Sequence, residues 1–185
     1  MQSEASGTLV SSLNGEPGPR MGTVYIGVGS NVDREINVRA AVDKLSRLGD
    51  SISVSPVYES PAYGFEGDNF YNLVVGLETT DSPQELTIKL QQIEDEQGRV
   101  RNGPRFSSRT LDLDLLLYDN LIIHNEQLDL PREDIESYAF VLFPLADIAA
   151  DTMHPEKGIK ISTLKENFDS SDSTLRKVYL DMEIK

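Results

Sequence analysis

From Leu111 to Leu117 the chain runs Leu-Asp-Leu-Asp-Leu-Leu-Leu, and its alternation has the period of a strand with one buried face. The pattern predicts Leu111, Leu113, Leu115 and Leu117 in the core, with Asp112 and Asp114 together on the opposite face. Earlier, Thr23 to Val28 reads as a strand ended by Gly29-Ser30-Asn31. Helical spacing follows from about Asp33 to Leu48, with Ile36, Val38, Ala41, Val42, Leu45 and Leu48 on the apolar side and Gly49 as the stop. Ser51 to Tyr58 reads as a second strand, Ser60 to Asn69 as a long loop carrying Pro61, Gly64 and Gly67, and Phe70 to Thr79 as a third strand. Asp81 or Ser82 can cap the next helix, with Pro83 in its first turn and Glu85 placed to close a capping box. Leu86, Ile88, Leu90 and Ile93 carry that helix to Gly98. Leu121 to Ile123 continues the Asp112/Asp114 strand beyond an Asp119-Asn120 turn, and Phe140 to Ala150 and Ser162 to Phe168 read as short helices.

The order β-α-β-β-α-β predicts a ferredoxin-like α+β fold, with a single antiparallel-rich sheet and helices packed on one face of it. The domain spans residues 22–168. Residues 1–21, rich in Ser, Gly, Glu and Pro and without periodicity, read as a disordered extension, and 169–185 as a linker and a weakly placed tail.

Chemistry enters at the strand with the two acids. Neighbouring residues of one strand face lie roughly 6–7 Å apart, from a rise of about 3.3 Å per residue. Aspartate is unfavourable in strands, and two on one face repel, so a bound hard cation such as Mg²⁺ gives the pair a purpose beyond solvation. Just upstream, Arg99, Arg101, Arg105 and Arg109 fall in a segment with no acid and with Gly103-Pro104 and Ser107-Ser108 breaks. Guanidinium forks pair well with phosphate, and a mobile arm of them can close over a polyphosphate and exclude water. Net charge is −14, which argues against nucleic acid as a partner and makes the arginine cluster more informative. There is no cysteine, hence no disulfide or thiolate chemistry, and no apolar run long enough for a membrane span or a signal sequence. A soluble cytoplasmic protein is expected. By spacing alone Gln91, Glu94 and Gln97 form a solvated helix face, and His124 and His154 are structural. Aromatics such as Tyr63, Phe65, Phe70, Tyr71, Phe140 and Phe143 belong to the core, or two of them on facing loops sandwich a flat heterocycle.

From about Thr23 to Phe168 the sequence resembles the 6-hydroxymethyl-7,8-dihydropterin pyrophosphokinases of the folate pathway. Carrying the resemblance are Gly29-Ser30-Asn31, Ser60-Pro61-Ala62-Tyr63-Gly64, Phe70-Tyr71-Asn72, Gln91-Gln92-Ile93-Glu94, Gly98-Arg99-Val100-Arg101, Arg109-Thr110-Leu111-Asp112-Leu113-Asp114-Leu115 and Phe140-Val141-Leu142-Phe143-Pro144-Leu145. It implies an enzyme that moves pyrophosphate from ATP to the pterin hydroxymethyl group and releases AMP. It also implies two Mg²⁺ ions on Asp112 and Asp114, with Arg99 and Arg109 joining these acids as catalytic residues. ATP would be held by Gln91, Glu94, Arg99, Arg101, Arg105, Arg109 and Arg132, and the pterin by Gly29, Ser60, Pro61, Tyr63, Phe70, Asn72 and Phe140, stacked between Phe70 and Phe140. Small-molecule substrates, no nucleic acid and no membrane are expected; the sequence leaves the oligomeric state open, with a monomer favoured.

The chain departs from the family in two places. Arg105-Phe106-Ser107-Ser108-Arg109 stands where the family reads Arg-Trp-Gly-Pro-Arg, and Arg132 and Tyr138 stand where it has a nucleotide-contacting His and Arg. Two rival readings remain at this point: a pterin-binding paralogue that transfers poorly, and a generic nucleotide kinase releasing ADP, which the missing P-loop pattern disfavours.

Overall fold

In the computed structural model, residues 20–99, 107–170 and 174–182 are described. Strand β1 (Gly22–Ser30) is central, hydrogen-bonded to β4 (Phe70–Thr79) on one side and β5 (Asp112–Tyr118) on the other, both antiparallel. Two short strands, β2 (Asp50–Val54) and β3 (Val57–Ser60), lie end to end along the outer edge of β4. They are one predicted strand broken at Ser55-Pro56, where proline removes a ladder donor. The sheet order β5-β1-β4-β3, with β2 also on β4, is the ferredoxin-like arrangement expected.

Helix α1 (Arg34–Leu45) and helix α2 (Pro83–Glu96) cover one face. Val38, Ala41, Val42 and Leu45 of α1 and Leu86, Leu90 and Ile93 of α2 pack with Val24, Ile26, Val28, Leu73, Val75, Leu111, Leu113 and Leu115. The capping box forms as predicted: the Glu85 N–H donates to Ser82 Oγ, and the Ser82 N–H donates to Glu85 Oε2 at 2.8 Å. Ile36 and Ile88, expected on the apolar sides, are 69% and 55% exposed instead, since each helix buries a narrower stripe than its hydrophobic count allows.

The expectation of helices on one face only is corrected by the second core. Beyond β5, β6 (Ile123–His124) and β7 (Asp129–Leu130) form a separate hairpin-like pair, so the 121–123 segment does not extend the main sheet. The chain then makes α3 (Asp134–Ser137), α4 (Ala139–Ala149) and α5 (Ile161–Asn167). Leu142, Leu145, Ile135 and Ile161 pack on Val74, Leu116 and Leu117, the side of the sheet opposite α1 and α2. Leu117 reaches that side because the register between β1 and β5 shifts between Tyr25 and Ile26, which turns Leu117 away from Leu111, Leu113 and Leu115. The tail expected to be weakly placed contains β8 (Arg176–Val178), paired antiparallel with β3, and Arg176 ion-pairs with buried Glu59.

Candidate active site

Helices α3 and α4 cover only part of their face, and the uncovered end of β1, β4 and β5 is hollow for a reason visible in the register. Asp112 pairs with Gly29 and Asp114 with Gly27, while Asn72 on β4 also faces Gly29. The two glycines put no side chain between the carboxylates and Asn72. A Cβ on Gly29 would lie 3.4 Å from Asn72 Oδ1, so a larger residue there would fill the floor of the cleft. The site depends on glycine as much as on aspartate.

Two clefts open from this floor. One, of about 300 Å³, is lined by Gly29, Ser60, Pro61, Tyr63, Phe70, Asn72 and Phe140, together with Arg99, Arg109, Asp112, Asp114 and Arg132. All seven positions predicted to meet the pterin therefore share one cavity. The second, of about 230 Å³, runs between α2 and β5, with Gln91, Glu94, Arg99, Asp112, Asp114 and Arg132 in its walls. Arg99, Arg132, Asp112 and Asp114 belong to both, so the clefts meet at the carboxylate pair. Of the predicted nucleotide residues, Arg101 and Arg105 lie outside the described residues, and Arg109 lines the first cleft.

The aromatic cleft is held by neutral hydrogen bonds. Asn72 Nδ2 donates to Ser60 Oγ at 2.9 Å, both residues being buried. Gly29-Ser30-Asn31 proves to be a clamp: Ser30 Oγ donates to the Thr110 carbonyl at 2.6 Å, and Asn31 Oδ1 accepts from the Arg109 N–H at 2.7 Å. Asn31 Nδ2 donates to the Asp68 carbonyl at 3.0 Å. One motif thereby fixes both the end of the arginine segment and the loop before β4. The rings of Phe70 and Phe140 line the same cleft; Phe65 meets Phe70 edge-on, and Tyr138 stacks on Phe140 with centroids 5.0 Å apart and planes inclined by 17°.

The other cleft is dominated by charge. Arg99 Nη1 bridges Glu94 and Asp112 and also donates to the Leu111 carbonyl at 3.2 Å. Glu94 is not on a solvated helix face: it is 4% exposed, and its Oε1 accepts the Leu113 N–H at 2.8 Å, stapling α2 to β5. On the far side Arg132 Nη2 sits 3.0 Å from Asp114 Oδ1, and its Nε donates to Asp134 Oδ2 at 2.9 Å. Two guanidiniums thus serve four carboxylates. Burial and the Asp112 charge push the Asp114 carboxyl up to about 7, with Arg132 opposing them. Among the described residues no group of three or more His, Cys, Asp and Glu side chains is arranged to hold a metal ion. Asp112 and Asp114 offer two carboxylates, which suits an ion that takes its remaining ligands from water and phosphate oxygens, as Mg²⁺ does.

Sequence reasoning missed Gly27 and Asp134, and took Tyr138 only as a lost nucleotide contact rather than a ring stacked on Phe140. The Gly-Val-Gly alternation at 27–29 was a legible signal for the first, because glycine on one strand face leaves a hollow. Asp134, two residues beyond Arg132, had none.

A family model described as 7,8-dihydro-6-hydroxymethylpterin-pyrophosphokinase matches residues 25–150. The chain is 40% identical over 148 residues to the 2-amino-4-hydroxy-6-hydroxymethyldihydropteridine pyrophosphokinase of Haemophilus influenzae, covering 78% of this chain and 92% of that one. With the Aquifex aeolicus protein of the same name it shares 39% over 137 residues, 73% of this chain and 85% of that one. Among solved structures, wild-type Plasmodium falciparum HPPK-DHPS superposes with a TM-score of 0.66 at 14% identity, over 82% of this chain and 45% of that one, a likeness of fold. No helix among the described residues is long and apolar enough to cross a membrane. The matched span holds every cleft residue named above, and the chain belongs to the 7,8-dihydro-6-hydroxymethylpterin-pyrophosphokinase family.

Proposed function

We propose that this chain transfers pyrophosphate from ATP to the hydroxymethyl oxygen of 6-hydroxymethyl-7,8-dihydropterin and releases AMP, a step of folate synthesis. The observation that carries this reading is the junction, at Asp112 and Asp114, of a cleft walled by aromatic rings with one running between α2 and β5. The pterin ring lies between Phe70 and Phe140, with Gly29 beneath it and Ser60, Pro61, Tyr63 and Asn72 along its edge. The nucleotide enters between α2 and β5, past Gln91 and Glu94, and its phosphates meet Arg99, Arg109, Arg132 and the arm bearing Arg101 and Arg105.

Asp112 and Asp114 are the residues that would hold Mg²⁺, two ions on this reading. Among the described residues Arg99 and Arg132 are bonded to Glu94, Asp112, Asp114 and Asp134, and the carboxylate pair on β5 suits a hard divalent cation. When bound, such ions screen phosphate oxygens and stabilise charge on the leaving group. The protein's own part is positional. The clefts hold hydroxyl and β-phosphorus in reach of one another, and the arginines neutralise the phosphates. The new bond forms between the hydroxymethyl oxygen and the β-phosphorus; the α–β bridge breaks with its electron pair on AMP, and the hydroxyl proton passes to solvent. Dependence on ATP suits a cytoplasmic setting, and one copy of the chain carries every residue used.

Chromatography of nucleotides after incubation with ATP, Mg²⁺ and the hydroxymethyldihydropterin tests the reading. AMP is expected in step with pyrophosphorylated pterin. ADP in its place would make the chain a phosphokinase, and pterin binding with no AMP above a no-enzyme control would make it a binding protein.

A further inference from the structure

Arg132 is held in a way that differs from Arg99. Arg99 is 16% exposed, and one of its nitrogens is tied to Glu94, Asp112 and a strand carbonyl at once. Arg132 is 39% exposed and divides its donors, Nε to Asp134 and Nη2 to Asp114. Its backbone is fixed, because the Arg132 N–H donates to the Leu116 carbonyl at 3.0 Å, one same-face position along β5 from Asp114. The guanidinium is a rigid plane, so rotation about the Cδ–Nε bond carries Nη2 off Asp114 while the Nε atom itself stays beside Asp134. The fork lies in the wall where both clefts meet, so its swing is across the path of the phosphates.

Resting on the metal reading above, we propose that Arg132 is an exchangeable counter-ion: it occupies Asp114 while the site is empty and turns to a nucleotide phosphate once a divalent cation takes that carboxylate, with Asp134 as its pivot. A positive group is then present on Asp114 in either state, and one side chain couples cation loading to nucleotide loading. Asp134 is a positioning residue, acting only through Arg132. The consequence is a split in sign that a plain structural role does not produce: removing the guanidinium frees Asp114 for the cation but deprives the nucleotide of a donor.

The test compares wild type with Arg132→Gln and Arg132→Lys, each checked for an unchanged circular dichroism spectrum. Mn²⁺ binding without nucleotide is read by electron paramagnetic resonance, and binding of α,β-methylene ATP with Mg²⁺ by calorimetry. Arg132→Gln is expected to bind Mn²⁺ several-fold more tightly. The same variant should bind the nucleotide analogue about ten- to a hundredfold more weakly, the size of one charge-assisted hydrogen bond. Arg132→Lys, which keeps the charge without the fork, should recover part of the nucleotide affinity. Both affinities falling together, or neither moving, overturns the exchange. Asp112→Asn and Asp114→Asn separate the two levels. If wild-type protein binds Mn²⁺ through these acids and Arg132→Gln does not tighten it, the exchange alone fails. If no protein binds Mn²⁺, or the two Asn variants bind it as wild type does, the metal reading fails and the exchange with it.

Discussion

The two clefts use the same strands in opposite ways. In the aromatic cleft polar atoms satisfy one another before any ligand arrives: Asn72 with Ser60, Asn31 with Asp68 and Arg109, Ser30 with Thr110. What is left open is walled by the Phe70 and Phe140 rings and shaped by the missing side chain at Gly29. In the charged cleft, among the described residues, the guanidiniums of Arg99 and Arg132 are paired with Glu94, Asp112, Asp114 and Asp134. One half recognises by shape, which costs little to keep empty. The other recognises by charge, and the empty state is held only by arginines that the ligand can claim. Chemistry and position set the difference together: Asp112 and Asp114 are carboxylates on the outer strand β5, beside Arg99 and Arg132, whereas Asn72 is an amide on β4 bonded to Ser60.

Breaking the charged half should have the largest effect. Asp114→Ala is expected to lower AMP production by roughly a thousandfold or more, since cation stabilisation of a transferring phosphate is worth several kcal/mol. Its melting temperature should hold or rise, because the lost carboxylate was disfavoured by burial; an unfolded variant, or unchanged turnover, would contradict the assignment. Next comes the shaped half. Phe140→Ala should weaken pterin binding about ten- to a hundredfold, as stacking on an aromatic ring is worth ~1–3 kcal/mol, with nucleotide affinity measured separately and unchanged. Loss of both affinities would show that the halves are not independent. Tyr138→Arg sharpens the boundary, as Tyr138 stacks on Phe140 at the position where the family resemblance implies a nucleotide-contacting arginine. ATP binding should tighten by up to about tenfold, one charge-assisted hydrogen bond at its weaker end, and unchanged affinity would show that Arg132 already supplies that charge.

The smallest effect lies outside both clefts and serves as their control. His154 is 1% exposed, and desolvation holds its imidazole below the ordinary value, with Glu136 and Glu156 pulling it up and Lys157 down. The folded state therefore binds fewer protons than the unfolded one as pH drops below about 6.5, and stability falls with pH from there towards the folded value. Urea unfolding at pH 7.5 and 5.5 should show wild type losing about 1 kcal/mol or less relative to His154→Gln. A gain on acidification would reverse the sign and place a cationic His154 in the fold.

Much of this was written in local patterns. Alternation at 111–115 put Asp112 and Asp114 on one face, and Ser82, Pro83 and Glu85 marked the start of α2, because strand faces and helix caps are set by residues a few positions apart. What escaped depends on distant partners. Leu117 changes face through a register shift against Tyr25 and Ile26, which lie elsewhere in the sequence. Glu94 looked solvated from its helix spacing, and only the approach of the Leu113 N–H and Arg99 buries it. Arg176 to Val178 is too short to announce a strand, and takes that form because β3 offers an unpaired edge and Glu59 a counter-charge. The second helical layer had a signal that the fold class hid: Ala139–Ala149 is apolar almost throughout, the composition of a helix buried on more than one side.

On the function proposed, Asp112 and Asp114 hold the cations whose positive charge admits the nucleotide. Calorimetric ATP affinity with and without Mg²⁺, in wild type and in the Asp112→Asn, Asp114→Asn double variant, measures this directly. Mg²⁺ should tighten ATP binding at least about tenfold in wild type, the gain from one added charge contact, and leave the double variant unmoved. Equal enhancement in both proteins, or none in wild type, would contradict it.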